Sequence, residues 1–309
     1  MNIIFMGTPD FSVPSLEKLI ENFDVSLVVT NPDRKRGRGK KLSFSPVKET
    51  ALKHGIEVYQ PEKLRKNEEC INKIKELKPD AIVIVAFGQI IPQSIIDIPK
   101  YCCINLHASL LPTYRGAAPI NWAIINGEKK TGSTTMLINA GIDTGDMLLQ
   151  KETEISDDMT FGELYDKLKN EGADLLVETI QGLEENRIKP LKQDDSLSNY
   201  APMIDKSTGK IDWSKPAHEV NNLIRGLNPK PGAYALYKDT AFKIFNAKVI
   251  DEDHDYKPGY VIEADKDGIK IAAGKGILDI LVLQLPGKNK MEVKEFIKGH
   301  KIDQNVILD

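Results

Sequence analysis

The stretch CCINLHASLLPTYRGAAP, residues 102–119, places an amide and an imidazole two positions apart at the end of an apolar run. Side chains two residues apart on a strand share one face, so a strand over 102–107 would point Asn105 and His107 to the same side. Ligands bind beyond the carboxyl ends of strands in open α/β sheets. We therefore expect a site there, covered by a proline- and glycine-containing loop over 109–119.

Apolar runs alternate with helix-like segments through the first half of the chain. The runs predict strands, and apolar residues spaced by three and four positions predict helices between them. The predicted strands are 3–6, 25–30, 56–59, 81–87, 102–107, 131–138 and 147–155, and the predicted helices are 11–22, 46–54, 68–77, 119–126 and 160–186. This alternation predicts an α/β fold with a doubly wound, mostly parallel, Rossmann-like sheet.

The last third of the chain has a different pattern. Short strands separated by turn residues, with one helix, favour a small OB-like antiparallel β-barrel. The predicted strands are 233–237, 241–249, 259–264, 268–272 and 277–285, and the helix is 218–227. We thus predict a first domain over 1–187, an aperiodic linker over 188–208 and a barrel domain over 209–309.

The composition is that of an ordinary globular protein. Of 309 residues, 41% are hydrophobic and 28% are charged. At about 150 residues per domain, this length favours two domains. No run of about 18 apolar residues occurs, so we expect neither a spanning helix nor a signal peptide, and hence a cytoplasmic location. The three cysteines lack metal-ligand spacing, which predicts reduced, apolar thiols and no bound metal.

A carboxylate that could complete a site lies in the Gly-rich turn at Asp143. An amide, an imidazole and a carboxylate suit attack by an amine on an acyl carbon. Asn105 and a protonated His107 can donate to the developing oxyanion, and Asp143 can favour that protonation and help remove the proton of the attacking nitrogen. The residues alone leave structural roles open, namely a turn carboxylate, a satisfied core histidine and a loop-capping amide.

A basic run, DRKRGRGKK at 33–41, lies between a predicted strand and a predicted helix. Such runs are usually solvated surface. In a chain of net charge −3, six cationic side chains beside the mouth of the sheet also suggest a phosphate-binding loop for RNA. Gly7 after the first strand supplies only one glycine of the dinucleotide fingerprint, and Asp10 would repel a pyrophosphate, so we predict no NAD.

Several motifs resemble those of the 10-formyltetrahydrofolate-dependent formyltransferases. They are the Asn105-x-His107 pair, SLLPTYRG at 109–116, GSTTM at 132–136 and IDTGD at 142–146. The segments FMGTPDF at 5–11, 32–41 and IDW at 211–213 are similar to the tRNA-specific branch of that family, so the resemblance covers nearly the whole chain. One departure is Ala108, where many members carry glycine.

The resemblance implies a role for each matching residue. Asn105, His107 and Asp143 would be the catalytic residues. The residues that would bind 10-formyltetrahydrofolate are Phe87, Gly88, Gln89, Ile90, Ser109, Leu110, Leu111 and Pro112. The residues that would contact the tRNA acceptor stem are Arg34, Arg36, Arg38, Lys40 and Lys41, with Arg38 at the position of the family's key arginine.

The resemblance also implies the reaction. A formyl group would pass from 10-formyltetrahydrofolate to the amino group of methionine on initiator tRNA, without metal or NAD, in a cytoplasmic enzyme that we expect to be a monomer. Three alternatives remain: a formyltransferase for a nucleotide-linked amino sugar, glycinamide ribonucleotide transformylase, and a nonenzymatic RNA-binding protein. The basic insertion and the barrel argue against the first, and the C-terminal third argues against the second.

Overall fold

The computed structural model describes residues 1–36, 41–238, 240–265, 268–300 and 302–309. The chain divides into two compact units. Unit 1 comprises Met1–Gly116, Thr131–Glu154 and Tyr165–Ala201, and unit 2 comprises Ala117–Lys130, Ile155–Leu164 and Pro202–Asp309. Unit 2 therefore takes in two segments that precede residue 202, and the units do not separate at a single position in the chain.

A seven-stranded sheet forms the centre of unit 1. The strands before residue 202 are β1 (Asn2–Gly7), β2 (Asp24–Val29), β3 (Arg34–Arg36), β4 (Lys41–Ser43), β5 (Val58–Tyr59), β6 (Ala81–Val85), β7 (Cys102–His107), β8 (Arg115–Gly116), β9 (Lys130–Leu137), β10 (Met147–Glu154) and β11 (Tyr200–Ala201). The helices up to residue 184 are α1 (Val13–Asn22), α2 (Pro46–Lys53), α3 (Glu68–Leu77), α4 (Gln93–Ile96), α5 (Pro119–Ile125) and α6 (Phe161–Glu184).

The strand order of this sheet is β10-β9-β7-β6-β1-β2-β5. The pairs from β5 to β7 are parallel, and β9 runs antiparallel to β7. Central strands β1 and β6 are buried almost along their whole length, as expected for parallel strands covered on both faces. The predicted doubly wound, mostly parallel α/β fold is confirmed.

Short local signals set the helix starts. Ser45 precedes α2 and its hydroxyl accepts a hydrogen bond of 3.1 Å from the Lys48 amide. Asn67 caps α3 in the same way, with a bond of 2.8 Å from the Cys70 amide. Each cap satisfies a backbone donor that the first helical turn leaves unpaired.

Two departures from the expected organisation affect the site. The basic segment is not a loop throughout, because β3 and β4 pair antiparallel at its base. The segment 188–208 contains regular backbone pairing: Leu191 exchanges two bonds of 2.8 Å with Met147, and β11 pairs in parallel with β8. The boundaries 1–187, 188–208 and 209–309 remain a prediction.

Unit 2 carries an antiparallel sheet of six strands, which agrees with the predicted small β domain. Its strands are β12 (Ala233–Tyr237), β13 (Thr240–Ile250), β14 (Val261–Asp265), β15 (Gly268–Ala272), β16 (Ile277–Gln284) and β17 (Met291–Glu292), and its later helices are α7 (Ala217–Gly226) and α8 (Val293–Gly299). The strand order is β12-β13-β16-β15-β14, with β17 beside β16.

Strand pairing among the described residues does not close this sheet into the expected barrel. Instead, the last residues bond to both edge strands: Asp309 accepts from the Leu236 amide at 2.6 Å, and Val306 accepts from the Val261 amide at 2.9 Å. Trp213 and Phe296 are buried in the core of the unit. In the described part of the chain, no helix combines the length and the apolar character that a membrane crossing requires.

Candidate active site

Strand β7 carries the polar pair that the sequence singled out. It lies between β6 and β9, where Asn105 is in register with Ile84 and Met136, and His107 with Thr134. Both neighbours are strands of the main sheet, so β7 is an interior strand. Asn105 and His107 therefore lie at the carboxyl end of a central strand, the position at which open α/β sheets bind ligands.

The ring of His107 is buried, with 6% of its surface exposed. Its Nε2 lies 2.9 Å from the carbonyl oxygen of Tyr114. Since a carbonyl can only accept, Nε2 carries the proton of this bond. Nδ1 lies 3.6 Å from Oδ2 of Asp143, beyond hydrogen-bond distance. Nδ1 is thus the ring atom left to exchange a proton with another group, beside a carboxylate that can balance a positive charge on the ring.

The turn between β9 and β10 presents Asp143. This residue has a left-handed backbone, with φ of 53°, which aspartate tolerates better than most residues. Its Oδ2 accepts a hydrogen bond of 2.8 Å from the Gly116 amide. At Gly145 a Cβ atom would lie 1.7 Å from the Leu137 carbonyl oxygen, so this position requires glycine. The turn is consequently held against β9 and directs the carboxylate towards β7.

Asn105 is half-buried. Within the described part of the chain its side-chain amide makes no hydrogen bond, and it is not among the fully buried polar groups without a partner. Its two N–H donors are therefore available to a ligand in a partly dry environment. The structure thus brings Asn105, His107 and Asp143 to the same end of the sheet.

The loop that follows β7 is tied to β9 and β10 by side chains of those strands. Thr134 donates to the Ser109 carbonyl oxygen at 2.6 Å and accepts from the Leu111 amide at 3.1 Å. Gln150 donates to the Leu111 carbonyl oxygen at 2.8 Å. Ser109 and Leu111 are buried, whereas Leu110 and Pro112 are half-buried. Of the four predicted folate contacts in this loop, these last two offer accessible side chains.

The segment after β6 was also predicted to bind folate. Phe87 is only 2% exposed and packs in the core of the sheet. The Gln89 amide donates to Asn31 Oδ1 at 2.7 Å and to the Pro61 carbonyl oxygen at 3.1 Å, and it accepts from the Leu64 amide at 2.8 Å. These two side chains therefore serve the fold of the segment.

The accessible surface of that segment belongs to its other two predicted members. Gly88 is exposed and has a left-handed backbone with φ of 78°. Ile90 is 73% exposed, which is unusual for a large apolar side chain. A folate contact here would therefore use Ile90 or the backbone around Gly88.

The predicted tRNA contacts lie in the segment that begins with β3. Arg34 pairs with Ser43 across the β3–β4 ladder and is exposed. The side chains of Arg36 and Lys41 are not among those that the structure describes, and Arg38 and Lys40 lie outside the described residues.

A half-buried ion pair anchors the base of this segment. Lys48 of α2 lies 2.6 Å from Asp33, and Gln60 donates to the same carboxylate at 2.9 Å. Burial raises the pKa of Asp33, but the hydrogen bonds from Lys48 and Gln60 and the charge of Lys48 outweigh it, so the pKa lies below its ordinary value. The carboxylate is therefore charged at neutral pH and fixes the chain just before β3.

Sequence reasoning missed one buried polar residue next to the site. Gln193 is 5% exposed, and its amide donates to the carbonyl oxygens of Asp143 and Gly145. It lies in the aperiodic segment predicted to be a linker, where no motif or periodicity distinguishes it from its polar neighbours.

Comparison with protein families defines the class of the molecule. The family model described as formyl transferase matches residues 1–180, and the model described as formyl transferase, C-terminal domain, matches residues 203–301. The chain is thus a formyltransferase of the two-domain type.

Relatives that match over the full length narrow the class. The methionyl-tRNA formyltransferase of Clostridium novyi (strain NT) is 56% identical over 308 residues, and the two chains are each covered completely. The enzyme of the same name from Acetivibrio thermocellus is 51% identical over 310 residues, with 100% of this chain and 99% of that protein covered. The chain therefore belongs to the methionyl-tRNA formyltransferase family.

Solved structures share the fold at lower identity. An N-formyltransferase from Helicobacter canadensis, crystallised with folinic acid and dTDP-3-aminofucose, aligns with a TM-score of 0.69 at 24% identity, covering 90% of this chain and 98% of that one. HypX from Aquifex aeolicus in complex with tetrahydrofolic acid aligns with a TM-score of 0.61 at 19% identity, covering 98% of this chain and 48% of that one.

Proposed function

We propose that this chain transfers the formyl group of 10-formyltetrahydrofolate to the free amino group of methionyl initiator tRNA. The observation that carries the proposal is the His107–Asp143 pair, at 3.6 Å, beside the unbonded amide of Asn105 at the end of β7. A buried imidazole next to a carboxylate and an available N–H donor meets the needs of acyl transfer to an amine.

The role of each residue follows from its contacts. The substrate 10-formyltetrahydrofolate would supply the formyl group. The residues that offer accessible surface to bind this substrate are Leu110, Pro112, Gly88 and Ile90. Asn105 would donate to the formyl oxygen as negative charge develops there. His107, with Nε2 bonded to Tyr114, would act through Nδ1.

Proton transfer must accompany the reaction, because the neutral amine nitrogen loses a proton as its bond to the formyl carbon forms, and the tetrahydrofolate nitrogen gains one as its bond to that carbon breaks. In its neutral form, Nδ1 of His107 can accept the proton from the amine, and in its charged form it can return a proton or donate to the oxyanion. Asp143 would compensate the ring's positive charge without itself receiving the proton. No protein nucleophile is required in this scheme.

We further infer that the basic segment binds the acceptor stem of the tRNA. Cationic side chains that neutralise phosphates supply much of the affinity of nucleic-acid complexes. The half-buried pair of Lys48 and Asp33 supports this role, since it gives the segment a fixed base.

Because the acceptor tRNA is used in translation, we place the enzyme in the cytoplasm, and we expect it to act as a monomer. The domain limits 1–187 and 209–309 belong to the same proposal.

The test is label transfer with the purified full-length protein. With 10-formyltetrahydrofolate labelled in the formyl carbon, methionyl initiator tRNA should become labelled, and methionyl elongator tRNA and a nucleotide-linked amino sugar should not. Asn105→Ala should lower kcat about 100-fold through loss of an oxyanion donor. Asn170→Ala, on the exposed surface of α6, is the matched control and should be as active as the parent. Absence of label on initiator tRNA, or its appearance on the amino sugar instead, would reject the proposal.

A further inference from the structure

The buried amide of Gln193 holds the backbone of the Asp143 turn. Its two N–H groups donate to the carbonyl oxygens of Asp143, at 2.9 Å, and of Gly145, at 2.7 Å. These carbonyls lie on either side of Thr144, so one side chain fixes the turn at two points. A primary amide has only two such donors, and both are used here.

The oxygen of the same amide also makes two hydrogen bonds. Gln193 Oε1 accepts from Arg115 Nε at 3.0 Å and from Arg115 Nη2 at 2.8 Å. Arg115 Nη2 also contacts the exposed carboxylate of Asp195 at 2.7 Å. The orientation of the amide is therefore imposed by the guanidinium, which accepts no hydrogen bond and so cannot face the N–H side of Gln193.

These contacts form a closed ring around Asp143. Gly116 follows Arg115 in the chain, and its amide donates to Asp143 Oδ2 at 2.8 Å. Gln193 thus restrains the turn through the carbonyl groups of Asp143 and Gly145, and Gly116 restrains it through the Asp143 carboxylate. Arg115 links the two, because it bonds Gln193 and precedes Gly116 in the chain. Hydrogen bonds in a connected network polarise one another, so the network restrains the turn more strongly than the same bonds made separately.

The same segment also restrains the residues on the other side of His107. Asn199 Oδ1 accepts a hydrogen bond from the Tyr114 amide, and the Tyr114 carbonyl oxygen accepts one from His107 Nε2. Strand β11 pairs with β8 so closely that a Cβ atom at Gly116 would lie 2.6 Å from the Tyr200 ring. Residues 193–201 therefore contact Tyr114, which bonds His107, and Arg115 and Gly116, which restrain Asp143.

From this ring of contacts we infer that Gln193 is a positioning residue for formyl transfer. It keeps the Asp143 carboxylate beside His107 Nδ1 while leaving the ring free to exchange protons with substrate. The inference rests on the proposed role of Asp143. It gives a residue of the predicted linker 188–208 a part in positioning that carboxylate.

The experiment is a double-mutant cycle in the full-length enzyme. Gln193→Leu keeps the size of the side chain and removes all four hydrogen bonds. We expect kcat to fall about tenfold, with KM for both substrates within about twofold of the parent, because positioning acts on the transition state. In an Asp143→Ala background, the same substitution should cost less than about twofold, since no carboxylate remains to be positioned.

Gln181→Leu is the matched control. This glutamine is exposed on α6, and its substitution should change neither kcat nor the melting temperature. Arg115→Lys serves as the second variant in case Gln193→Leu does not fold, because it weakens the hold on Gln193 Oε1 and leaves the bonds to the turn intact. Its expected loss in kcat is about threefold, and this loss should also vanish in the Asp143→Ala background.

The outcomes separate the two ideas. Parental kcat in Gln193→Leu, or an equal loss in both backgrounds, would overturn the positioning role even if Asp143→Ala is inactive. Full activity of Asp143→Ala would instead refute the proposed role of Asp143. A loss confined to the parental background, with unchanged KM values, supports the inference whether or not the melting temperature falls, since the buried partners of Gln193 lose their hydrogen bonds.

Discussion

Oδ2 of Asp143 stands 3.6 Å from Nδ1 of His107, whereas the same oxygen accepts a bond of 2.8 Å from the Gly116 amide. The carboxylate is therefore fixed by the backbone and not by the ring. Because the two side chains are close but not bonded, we expect the charge of Asp143 to act on His107 throughout the proposed reaction while Nδ1 stays accessible to substrate.

Removing the charge of Asp143 tests this relationship. Asp143→Asn retains an oxygen that can accept from the Gly116 amide, so the turn should persist. We expect kcat to fall about 100-fold, as for loss of a general acid–base partner, with a melting temperature close to that of the parent. Steady-state formylation assays and calorimetry measure the two quantities. Asp174→Asn, at an exposed carboxylate on α6, is the control, and a parental kcat in Asp143→Asn would contradict the assignment.

Replacing His107 distinguishes an enzyme from a protein that only binds RNA. His107→Ala removes the imidazole that we propose exchanges protons with the substrate, and we expect kcat to fall at least about 100-fold while affinity for tRNA changes little. Because the ring is buried and bonded to Tyr114, some stability will also be lost, about 1–3 kcal/mol. His107→Gln should restore part of that stability without restoring kcat. A fully active His107→Ala would contradict the catalytic role of His107, whereas absence of formyl transfer by both the parent and the variant would support the binding-protein alternative.

The parts of the site that sequence could predict are those governed by local periodicity. Asn105 and His107 share a face because a strand repeats every two residues, and the strand was marked by its apolar run. The Gly-rich turn around Asp143 was equally visible. The alternation of strands and helices then predicted that Asn105 and His107 lie at the carboxyl end of a sheet strand. The motifs of the family assigned these residues and Asp143 to one site.

The parts that sequence could not predict depend on contacts between distant residues. Strands β8 and β11 have two residues each, too few for any periodic signal, and Tyr200 pairs with Arg115, which is far from it in the sequence. Gln193 is one polar residue among many until the fold buries it. Gln89 matched a predicted folate contact, but its amide is occupied by Asn31 and Pro61. Side-chain pairing of this kind is set by tertiary structure alone.

The cysteines give a prediction that depends on pH. Burial raises the pKa of Cys70 and of Cys102 to about 11, and burial followed by nearby negative charge raises that of Cys103 to about 12. An exposed thiol titrates near pH 8.5, at about the value for the unfolded chain. The thiols therefore favour the folded state below about pH 8.5, and this contribution is lost as the pH rises through about 11.

Thiol reactivity measures the difference between buried thiols in the folded protein and exposed thiols in the unfolded chain. At pH 8 the folded protein should react slowly with Ellman's reagent, and all three cysteines should react rapidly in denaturant. The free energy of unfolding should also decline between pH 8.5 and pH 11, which urea titrations at successive pH values can follow. One rapidly reacting thiol in the folded protein at pH 8 would show that burial does not control these groups.

The salt dependence of tRNA binding tests the basic segment. Arg38→Ala should weaken binding of initiator tRNA and reduce the slope of log K against log salt by about one, as expected for loss of one phosphate contact. Affinity for folate should not change. Filter binding at several salt concentrations gives the slope, and fluorescence titration gives the folate affinity. An equal loss for both ligands would assign Arg38 to the fold instead.

The ion pair at the base of the basic segment leads to a separate prediction. Lys48 bonds Asp33 at 2.6 Å and Gln60 at 2.7 Å, so Lys48→Met would leave a half-buried carboxylate without its cation. The chain entering β3 should then become less ordered, and tRNA binding should bear the entropic cost of ordering it. We expect KM for tRNA to rise about fivefold, equivalent to about 1 kcal/mol, with kcat at saturation and KM for folate unchanged.

The control for this prediction lies on the same helix. Lys53→Met removes an exposed cation from the end of α2 and lowers the net charge by the same amount. If tRNA affinity responded only to total charge, the two variants would behave alike. If the anchored base of the segment matters, only Lys48→Met will raise KM for tRNA, and the effect will persist at high salt, because a half-buried pair is screened less than an exposed one. Equal behaviour of the two variants would contradict the anchoring role of Asp33 and Lys48.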